Sequence, residues 1–461
     1  MRGARPGLIL GLLAAGLILR LGYAWHSPPA ASDGGLYDPD VYVRLAHSVA
    51  DSWSLEETPG KPSSMREPGF PVLLGLAMKV LGKGRLTLVL VNSTLSVGAM
   101  LLIFAIGRRL LGEAAALTAL GLAAFYPAFI YHCGQPMRDS ALTFLGPASV
   151  WMLLEARARG TAPWYAAAGA VNAAAALTHT VFLPFGLVLA PAPFFLFTKG
   201  RALRSTAAYL AAFACVYLPW PARNYAVFDR FIVGSTASAG STFYTYLVVP
   251  QELGGLPEQA RIQAQDPVFQ AWTGADPVDR EKYFFKEGLK RVARYPLRYL
   301  KLVAWRFFVD IWRIVPRART YGHSQTLLRW VSLLSDGWIL PLALAGLLLA
   351  RLKPPEMLWP YLHLFSVNGA YALFFTMIRY RLTAMPWAIL LAAYALTRAW
   401  ERVREATHGG CGLRTRAGAA AGTAEHRHGI FGRHRRPLEG AGLVRGAGLP
   451  LAEGRAHRGA P

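Results

Sequence analysis

The feature that most limits how this chain can fold is the length of its apolar blocks. Stretches of about 18–22 residues with almost no charge recur along the sequence, and about 20 such residues are needed to cross a bilayer as a helix. Hydrophobic residues make up 54% of the 461 and charged residues only 16%, whereas a soluble domain carries about 25% charged residues. The sequence therefore predicts an all-α, polytopic membrane protein.

About ten of these blocks are candidate transmembrane helices. A further segment, 297–315, contains Arg306, Asp310 and Arg313. Because such charges are costly in lipid, we expect this segment to lie at the interface as an amphipathic helix; if it crossed, the later topology would be inverted. We therefore predict about 10–11 transmembrane helices with further helices at the membrane surface. The candidate spans are 7–25, 86–107, 113–131, 139–156, 163–179, 181–198, 204–222, 331–350, 357–377 and 382–399.

The charge distribution predicts which loops face which side. The net charge is +23, but much of it lies in short loops between apolar blocks, as the positive-inside rule predicts better than nucleic-acid binding does. Met1 to Tyr23 is basic and then apolar, and we interpret it as a retained signal-anchor. With Arg2 and Arg5 in the cytoplasm, loop 26–85 and segment 223–330 face outward from a bacterial inner (plasma) membrane.

Two regions differ in composition. Residues 1–405 carry all the apolar blocks and form the predicted transmembrane domain. Residues 406–461 consist mainly of Gly, Ala, Arg and His without periodicity, and such a composition cannot bury a core. We predict a disordered basic tail, which either touches anionic lipid or results from out-of-frame translation of GC-rich DNA.

Metal and disulfide chemistry is not indicated. Cys133, Cys215 and Cys411 form no Cys-x-x-Cys pair and have no metal-ligand spacing, so no disulfide framework or zinc site is predicted. No cofactor is required by the sequence. Paired acids could hold a divalent ion, but no dedicated ligand set is present.

Three acidic residues lie where the chain leaves the membrane on the predicted outer side. Asp38 and Asp40 follow the first span, and Asp139 begins the fourth. The apolar spacing after Asp40 predicts a helix from Asp40 to Ser52, and Pro68 to Leu81 forms a second predicted helix. Asp38 is then either a catalytic carboxylate or the cap of the first of these helices. Asp40 is a helix-start acid or a group that orients an acceptor.

Guanidinium groups share that side of the membrane. One reaction that needs such groups is the transfer of a sugar to a hydroxyl outside the cytoplasm. Nucleotide-sugars stay in the cytoplasm, so the sugar donor of that reaction must be carried by a lipid phosphate. Such a reaction needs a carboxylate to accept a proton and cations to bind the departing phosphate, for which Arg has the matching geometry. The candidate phosphate-binding residues are Arg66, Arg138, Arg223, Arg379 and Arg381.

Four short motifs occur in these regions in a set order. They are Asp38-x-x-x-Tyr42-x-x-x-Ala46, Arg66-x-Pro68-Gly69-Phe70-Pro71, Pro219-Trp220-Pro221-Ala222-Arg223-Asn224-Tyr225, and Arg379-Tyr380-Arg381-Leu382 with Pro386. In these motifs the chain resembles the GT-C glycosyltransferase superfamily. It is most similar to the glycosyltransferase family 39-like branch, which contains protein O-mannosyltransferases and lipid A aminoarabinose transferases.

The resemblance implies a GT-C fold and transfer of a sugar, with inversion, from a polyprenyl-phosphate donor to an acceptor hydroxyl. It implies that Asp38 is the base, that Asp139 takes the place of the second-loop acid, and that Tyr42 belongs to the substrate site. The acceptor would be a protein, lipid or glycan, and no nucleic acid is implied. Departures from the family pattern lie at Asp139, where many relatives have Glu, at Thr178-His179-Thr180 and at Leu382-Thr383.

Two other functions remain compatible with the sequence. A lipid or solute transporter would carry charges inside its spans or show two similar halves. A non-catalytic or polymerase-type protein of cell-envelope glycan assembly would keep the fold without the base. His132 and His179, near outer span ends, are interpreted as structural.

Overall fold

Helices form nearly all of the regular structure of this protein. The computed structural model describes residues 6–26, 31–32, 35–36, 38, 41–197, 200–236, 239–254, 256–315, 325–350 and 355–421. Within this part of the chain the only strands form two short antiparallel hairpins, β1 (Ala31–Ser32) with β2 (Gly35–Leu36) and β3 (Glu56–Thr58) with β4 (Lys61–Pro62). The all-α prediction is confirmed.

The helices follow one another with short connections. Their bounds are α1 Pro6–His26, α2 Tyr42–Ser52, α3 Gly69–Leu81, α4 Arg85–Leu110, α5 Glu113–Phe125, α6 Pro127–Tyr131, α7 Asp139–Arg159, α8 Ala162–Thr178, α9 Phe194–Phe197, α10 Ala202–Tyr217, α11 Pro219–Phe228, α12 Ala239–Val248, α13 Pro257–Gln265, α14 Pro267–Ala271, α15 Pro277–Arg294, α16 Pro296–Trp305, α17 Gln325–Leu334, α18 Asp336–Ala350, α19 Leu358–Phe374 and α20 Met385–Ala421.

Several of these helices have the length and hydropathy of membrane spans. In the described residues four do so, and a pair bent by 51° could provide a fifth. The other predicted spans form helices that are shorter or less apolar, so the number of 10–11 stays a prediction. Two of the four are α1 (Pro6–His26) and α4 (Arg85–Leu110). Thr180–Phe197 is a run of 3₁₀- and π-helical turns that ends in α9, Thr326–Ala350 comprises α17 and α18, and the bent pair is Glu113–Phe125 with Pro127–Gly134.

Both predicted helices of the first outward loop are present, as α2 and α3, and they pack against each other. Gly75 of α3 lies at their contact, where an added Cβ would be 2.7 Å from the Ala46 carbonyl oxygen and 2.7 Å from the Val49 side chain. A side chain there would push the helices apart. This close approach holds the middle of α2 against α3.

Arg20, in α1, is fully buried, and its side chain reaches α4 and α5. Arg20 donates to Ser96 Oγ at 2.8 Å and, at 3.1 Å each, to the carbonyl oxygens of Ala123 and Ala124. These carbonyls are near the end of α5, where the last turn has no intrahelical donors, and Pro127 has no N–H to supply one. Arg20 thus supplies hydrogen bonds to the carbonyl groups at the break between α5 and α6. Its side chain connects α1 to α4 and α5.

The segment with charges at 306, 310 and 313 does not form one long helix. It consists of α16 followed by a π-helical turn, Arg306–Asp310, which together fall short of the roughly 20 residues of a span. Arg306 is fully buried and donates to the Phe374 carbonyl at 3.0 Å and the Tyr246 carbonyl at 2.8 Å. The interfacial location of segment 297–315 stays a prediction, and the short length of its helical part supports it.

The chain divides into compact units 1–402 and 403–461. In the second unit the described residues continue α20 as far as Ala421. The predicted tail, 406–461, therefore has its first residues in this helix. Its remaining residues, 422–461, lie outside the described part of the chain.

We predict that Arg20→Met lowers the stability of the protein by about 2–5 kcal/mol, because two buried carbonyl groups lose their donor. Thermal unfolding in detergent measures this loss. Arg108→Met removes an exposed arginine from the end of α4 and serves as the control. Equal stability of the two variants would contradict the structural role of Arg20.

Candidate active site

Asp38 lies at the start of α2, where one carboxylate oxygen caps the helix. Its Oδ2 accepts hydrogen bonds from the backbone N–H groups of Val43 at 2.8 Å and Arg44 at 3.0 Å. The other oxygen, Oδ1, is buried and has no hydrogen-bond partner in the described residues. Asp38 is therefore a cap by one oxygen, and the second oxygen is available for another interaction.

The environment of Asp38 favours its protonated form. Burial raises the pKa of Asp38 above its ordinary value, although the backbone hydrogen bonds and the charge of Arg44 act in the opposite direction. A carboxylate with a raised pKa is a stronger base than an ordinary aspartate. The neighbouring acid, Asp40, lies outside the described residues.

Backbone strain marks the turn that follows Asp38. Val41, the residue before α2, has φ of 57° and lies in the left-handed region, which is rare for a β-branched residue. Strain of this kind is maintained only where the surrounding structure fixes it, and it is frequent at functional sites. The first residue of α2 after this turn is Tyr42, which points into the site.

The Tyr42 ring contacts two of the predicted arginines. The guanidinium carbons of Arg66 and Arg138 lie 5.6 and 5.7 Å from the ring centroid, within cation–π range. Phe70 packs edge-on against the same ring at 5.6 Å. Tyr42 therefore connects the helix that Asp38 caps to the cationic part of the site.

Glu67 forms the central ion pair of the site. Its side chain is buried, and Arg138 Nη1 donates to Oε2 at 2.6 Å. Thr180 donates to Oε1 from both its backbone N–H (3.1 Å) and its hydroxyl (2.8 Å), and His179 Nδ1 lies 3.5 Å from the same oxygen. Glu67 thus joins the return of the first loop to the start of α7 and the end of α8.

The pKa of Glu67 shows which effect dominates there. Burial alone would raise this pKa, but the charge of Arg138 and the hydrogen bonds from His179 and Thr180 hold it well below its usual range. Glu67 is therefore ionised at neutral pH. Close packing reinforces the arrangement, since a Cβ on the nearby Gly69 would be 2.8 Å from the backbone N of Thr178.

Asp139, the second predicted acid, lies in a cationic environment. Its Oδ1 is 3.8 Å from Arg379 Nε, and its Oδ2 is 3.6 Å from His132 Nδ1. The stacked rings of Tyr371 and Tyr380, 4.3 Å apart, form another wall. The residues that line this small pocket together are Tyr42, Met137, Arg138, Asp139, Leu142, His179, Tyr371, Arg379 and Tyr380.

The structure brings together many of the predicted site residues. Tyr42, Arg138, Asp139 and Arg379 share the pocket, and Arg66 contacts it through Tyr42. Asp38 lies four residues before Tyr42 on the turn into α2. The histidines interpreted as structural, at positions 132 and 179, both contact site carboxylates.

Arg223 and Arg381 are placed differently. Arg223 donates to the backbone carbonyls of Ser63 at 3.0 Å and Leu55 at 3.4 Å, and so fixes the first loop. Arg381 is buried and forms an ion pair with Asp336, which also accepts from Tyr126 at 2.7 Å. Neither lines the pocket that contains Asp139.

Arg381 instead borders a separate, largely apolar cavity of about 400 Å³. Tyr131 and Ile378 line this cavity, and the residues next to them, His132 and Arg379, contact Asp139. The linings of the cavity and of the small pocket thus meet along the chain at Ile378 and Arg379. Its lining residues are Tyr23, Tyr126, Pro127, Ala128, Ile130, Tyr131, Leu327, Leu328, Val331, Ser332, Ser335, Asp336, Ile378, Arg381, Leu382 and Met385.

Sequence reasoning missed Glu67, Tyr371 and Tyr380 as site residues. Glu67 stands inside the quoted Arg-x-Pro-Gly motif, and an acid beside a Pro-Gly turn at a membrane boundary was a usable signal. The tyrosines gave no such signal, because aromatic residues are common at span ends. In the described part of the chain no group of three His, Cys, Asp or Glu residues is arranged to hold a metal ion.

Comparison with known proteins agrees with this architecture. Residues 61–222 match the family described as dolichyl-phosphate-mannose-protein mannosyltransferase, while no curated protein matches the chain. The apo oligosaccharyltransferase of Archaeoglobus fulgidus has a TM-score of 0.53 at 17% identity, over 87% of this chain and 52% of its own. The same protein tethered to an acceptor peptide with the NVT sequon has a TM-score of 0.53 at 16% identity, over 86% and 50%.

A third solved structure is more distant. ArnT from Cupriavidus metallidurans bound to undecaprenyl phosphate has a TM-score of 0.43 at 15% identity, over 88% of this chain and 80% of its own. This chain spans about half the length of the archaeal oligosaccharyltransferase. The fold likeness and the family match over 61–222 confirm the resemblance predicted from the motifs. The chain is a multi-pass membrane protein, and its fold is similar to that of the archaeal oligosaccharyltransferase.

Proposed function

We propose that this protein transfers a sugar from a polyprenyl-phosphate-linked donor to an acceptor hydroxyl, with inversion, at the outer face of a bacterial inner membrane. The observation that carries the proposal is the pocket where Tyr42, Arg138, Asp139 and Arg379 meet beside the turn that holds Asp38. The family matched over 61–222 is described by a dolichyl-phosphate-mannose donor, which supports a lipid phosphate as the carrier.

Asp38 acts as the general base in this proposal. The acceptor O–H gives its proton to the carboxylate while its oxygen attacks the anomeric carbon, and the bond from that carbon to the phosphate oxygen breaks. One displacement inverts the configuration and releases polyprenyl phosphate. The raised pKa and the unpartnered Oδ1 of Asp38 support this role. Asp139 and Asp40 are proposed to orient substrate.

The departing phosphate is proposed to bind at the guanidinium groups of the pocket. Arg138 and Arg379 line it, and the guanidinium carbon of Arg66 lies 5.6 Å from the centroid of the Tyr42 ring. Guanidinium groups match phosphate oxygens through paired N–H donors. Arg223 and Arg381 are proposed to maintain the shape of the site, because their hydrogen bonds already go to backbone carbonyls and to Asp336.

The apolar cavity beside the pocket is proposed to take the isoprenoid chain. Its walls are mainly aliphatic and aromatic, and its lining meets that of the pocket along the chain at Ile378 and Arg379. An isoprenoid bound there would place its phosphate near Arg379. The acceptor is a protein, lipid or glycan; the archaeal oligosaccharyltransferase was captured with an acceptor peptide, which supports a polymeric acceptor. No metal is invoked, and transfer should be insensitive to EDTA.

We predict that Asp38→Asn lowers transfer by at least about 100-fold, since a positioned general base contributes about 10²–10⁴-fold. Asparagine keeps an oxygen that can accept from the Val43 N–H, so α2 stays capped. Transfer from a radiolabelled polyprenyl-phosphate hexose, measured with purified protein in detergent, checks this.

Asp51→Asn is the matched control, because Asp51 lies on the same helix, is exposed and pairs with Lys83. This variant should keep normal transfer. Near-normal turnover by Asp38→Asn would refute the assignment of the base, and failure of both variants would indicate a folding effect.

We predict that the transfer rate decreases as the pH is lowered, and that the midpoint of this decrease lies above 3.8, the ordinary pKa of aspartate. Only the ionised base accepts a proton, and the pKa of Asp38 is raised, so activity is lost as pH falls through that raised value. The pH dependence of kcat/KM measures this loss of activity at low pH.

Unfolding over the same pH range separates this loss from instability. The pKa of Glu67 is depressed in the folded state, so its contribution to stability is present above its unfolded pKa and is lost only at lower pH. A rate profile that simply followed the unfolding profile would contradict the role of Asp38.

We predict that Glu67→Gln destabilises the protein by about 3–5 kcal/mol, because it leaves the charge of Arg138 uncompensated in a buried site. Thermal unfolding in detergent measures the loss, with Glu57→Gln, a half-buried partner of Arg44, as control. Adding Arg138→Gln to Glu67→Gln should recover part of the stability without restoring transfer. Additive losses in the double variant would show that the two side chains do not interact.

A further inference from the structure

A second cavity lies away from the active site, between the end of α12 and the bend that joins α15 to α16. Its volume is about 340 Å³. Backbone and side chains from the loop after α12 form one wall, and the two helices form the other. The lining residues are Tyr246, Leu247, Val248, Val249, Pro250, Gln251, Glu252, Arg291, Val292, Tyr295, Arg298, Tyr299, Leu302 and Trp305.

This cavity is positively charged. Arg291 comes from the last turn of α15 and Arg298 from the first turns of α16, and in the described residues no carboxylate lies within ion-pair distance of either. Glu252 is the single acid of the lining, and it faces Arg313 at 3.5 Å. Two guanidinium groups are therefore available to an anion in the cavity.

α16 and the π-helical turn that follows it expose large apolar side chains beside the exposed Arg298 and Lys301. Leu297 and Leu300 of α16 and Phe308 of the turn are 73%, 63% and 72% exposed. In a multi-pass membrane protein, such a face beside arginines is typical of a helix that lies in the headgroup region. Tyr295 and Trp305, both lining the cavity, are the aromatic residues preferred at that depth.

We propose that this cavity binds the phosphate headgroup of an anionic phospholipid from the surrounding bilayer. Arg291 and Arg298 hold the phosphate, the hydroxyl and amide groups of Tyr299 and Gln251 lie beside the headgroup, and the acyl chains follow the apolar face of Leu297 and Leu300. Charge complementarity favours an anionic lipid over a zwitterionic one, because the cavity has no acid placed to accept a choline or ethanolamine group other than Glu252, which faces Arg313.

The wall of this cavity is continuous with the segment that carries Arg379. Tyr246 stacks on Phe375 at 4.0 Å with an interplanar angle of 12°, and Phe375 meets Tyr380 edge-on at 6.0 Å. Gln251 also donates to Thr376 Oγ1 at 2.9 Å. A lipid bound here would hold both walls together, so its binding is measurable as stability of the whole domain and does not depend on the proposed transfer reaction.

The test is thermal unfolding of the full chain in detergent with dioleoyl-phosphatidylglycerol, dioleoyl-phosphatidylcholine or inorganic phosphate added. A ligand that binds only the folded state raises its stability. We expect phosphatidylglycerol to raise Tm by a few degrees, whereas the other two leave it unchanged. An equal shift with phosphatidylcholine would overturn selectivity for an anionic lipid, and an equal shift with inorganic phosphate would overturn a lipid as the occupant.

Variants locate the effect. Arg291→Gln with Arg298→Gln should abolish the shift caused by phosphatidylglycerol, and Arg298→Gln alone should reduce it. Arg261→Gln with Arg294→Gln removes the same charge from nearby helices at residues that do not line the cavity, and should retain the shift. Retention of the shift by the first pair, or its equal loss from the second, would overturn the assignment to this cavity.

Discussion

The ion pair between Glu67 and Arg138 is the interaction on which the rest of the site depends. The two residues are 71 positions apart, and their contact joins the returning first loop to the start of α7. Thr180 adds two hydrogen bonds to the same carboxylate from the far end of α8. A buried carboxylate is stable only when its charge and lone pairs are satisfied, so one side chain fixes three elements at once. Tyr42 and Asp139 take their positions from that junction.

Other buried charges in this protein follow the same rule. Arg20 satisfies carbonyls at the break between α5 and α6, Arg306 satisfies carbonyls at the end of α19, and Arg381 pairs with Asp336. Lipid offers no hydrogen bonds to exposed backbone. At the first two of these places a long cationic side chain therefore supplies the donor that the backbone lacks. These arginines explain why charge occurs in a chain whose spans are otherwise apolar, and they do not require a transport pathway.

Local patterns in the sequence predicted the helices correctly, whereas long-range pairing determined the site. The spacing of Val41, Leu45 and Val49 predicted α2, and the Pro-Gly turn predicted the start of α3. The predicted outward side of the membrane grouped Tyr42, Arg138, Asp139 and Arg379, which line one pocket, and their roles stay predictions. The Pro-Gly turn beside Glu67 was the one local signal for this residue, and its partners, just before α7 and beyond α8, are distant in sequence. The sequence also grouped Arg381 with the candidate phosphate-binding residues. Its ion pair with Asp336 could not be seen there, because the two residues are 45 positions apart.

The charges of the pocket suggest how a phosphate is accommodated in the proposed reaction. Arg138 and Arg379 contribute two positive charges to the lining and Asp139 one negative charge, and Glu67 pairs with Arg138 from outside the lining. The contacts are unequal, however, because Arg138 meets Glu67 at 2.6 Å while Arg379 meets Asp139 at 3.8 Å. The short contact fixes Arg138 as part of the framework. The longer contact is weaker, so in the proposed reaction Arg379, more readily than Arg138, turns from its carboxylate to the phosphate, while Asp139 keeps its contact with His132.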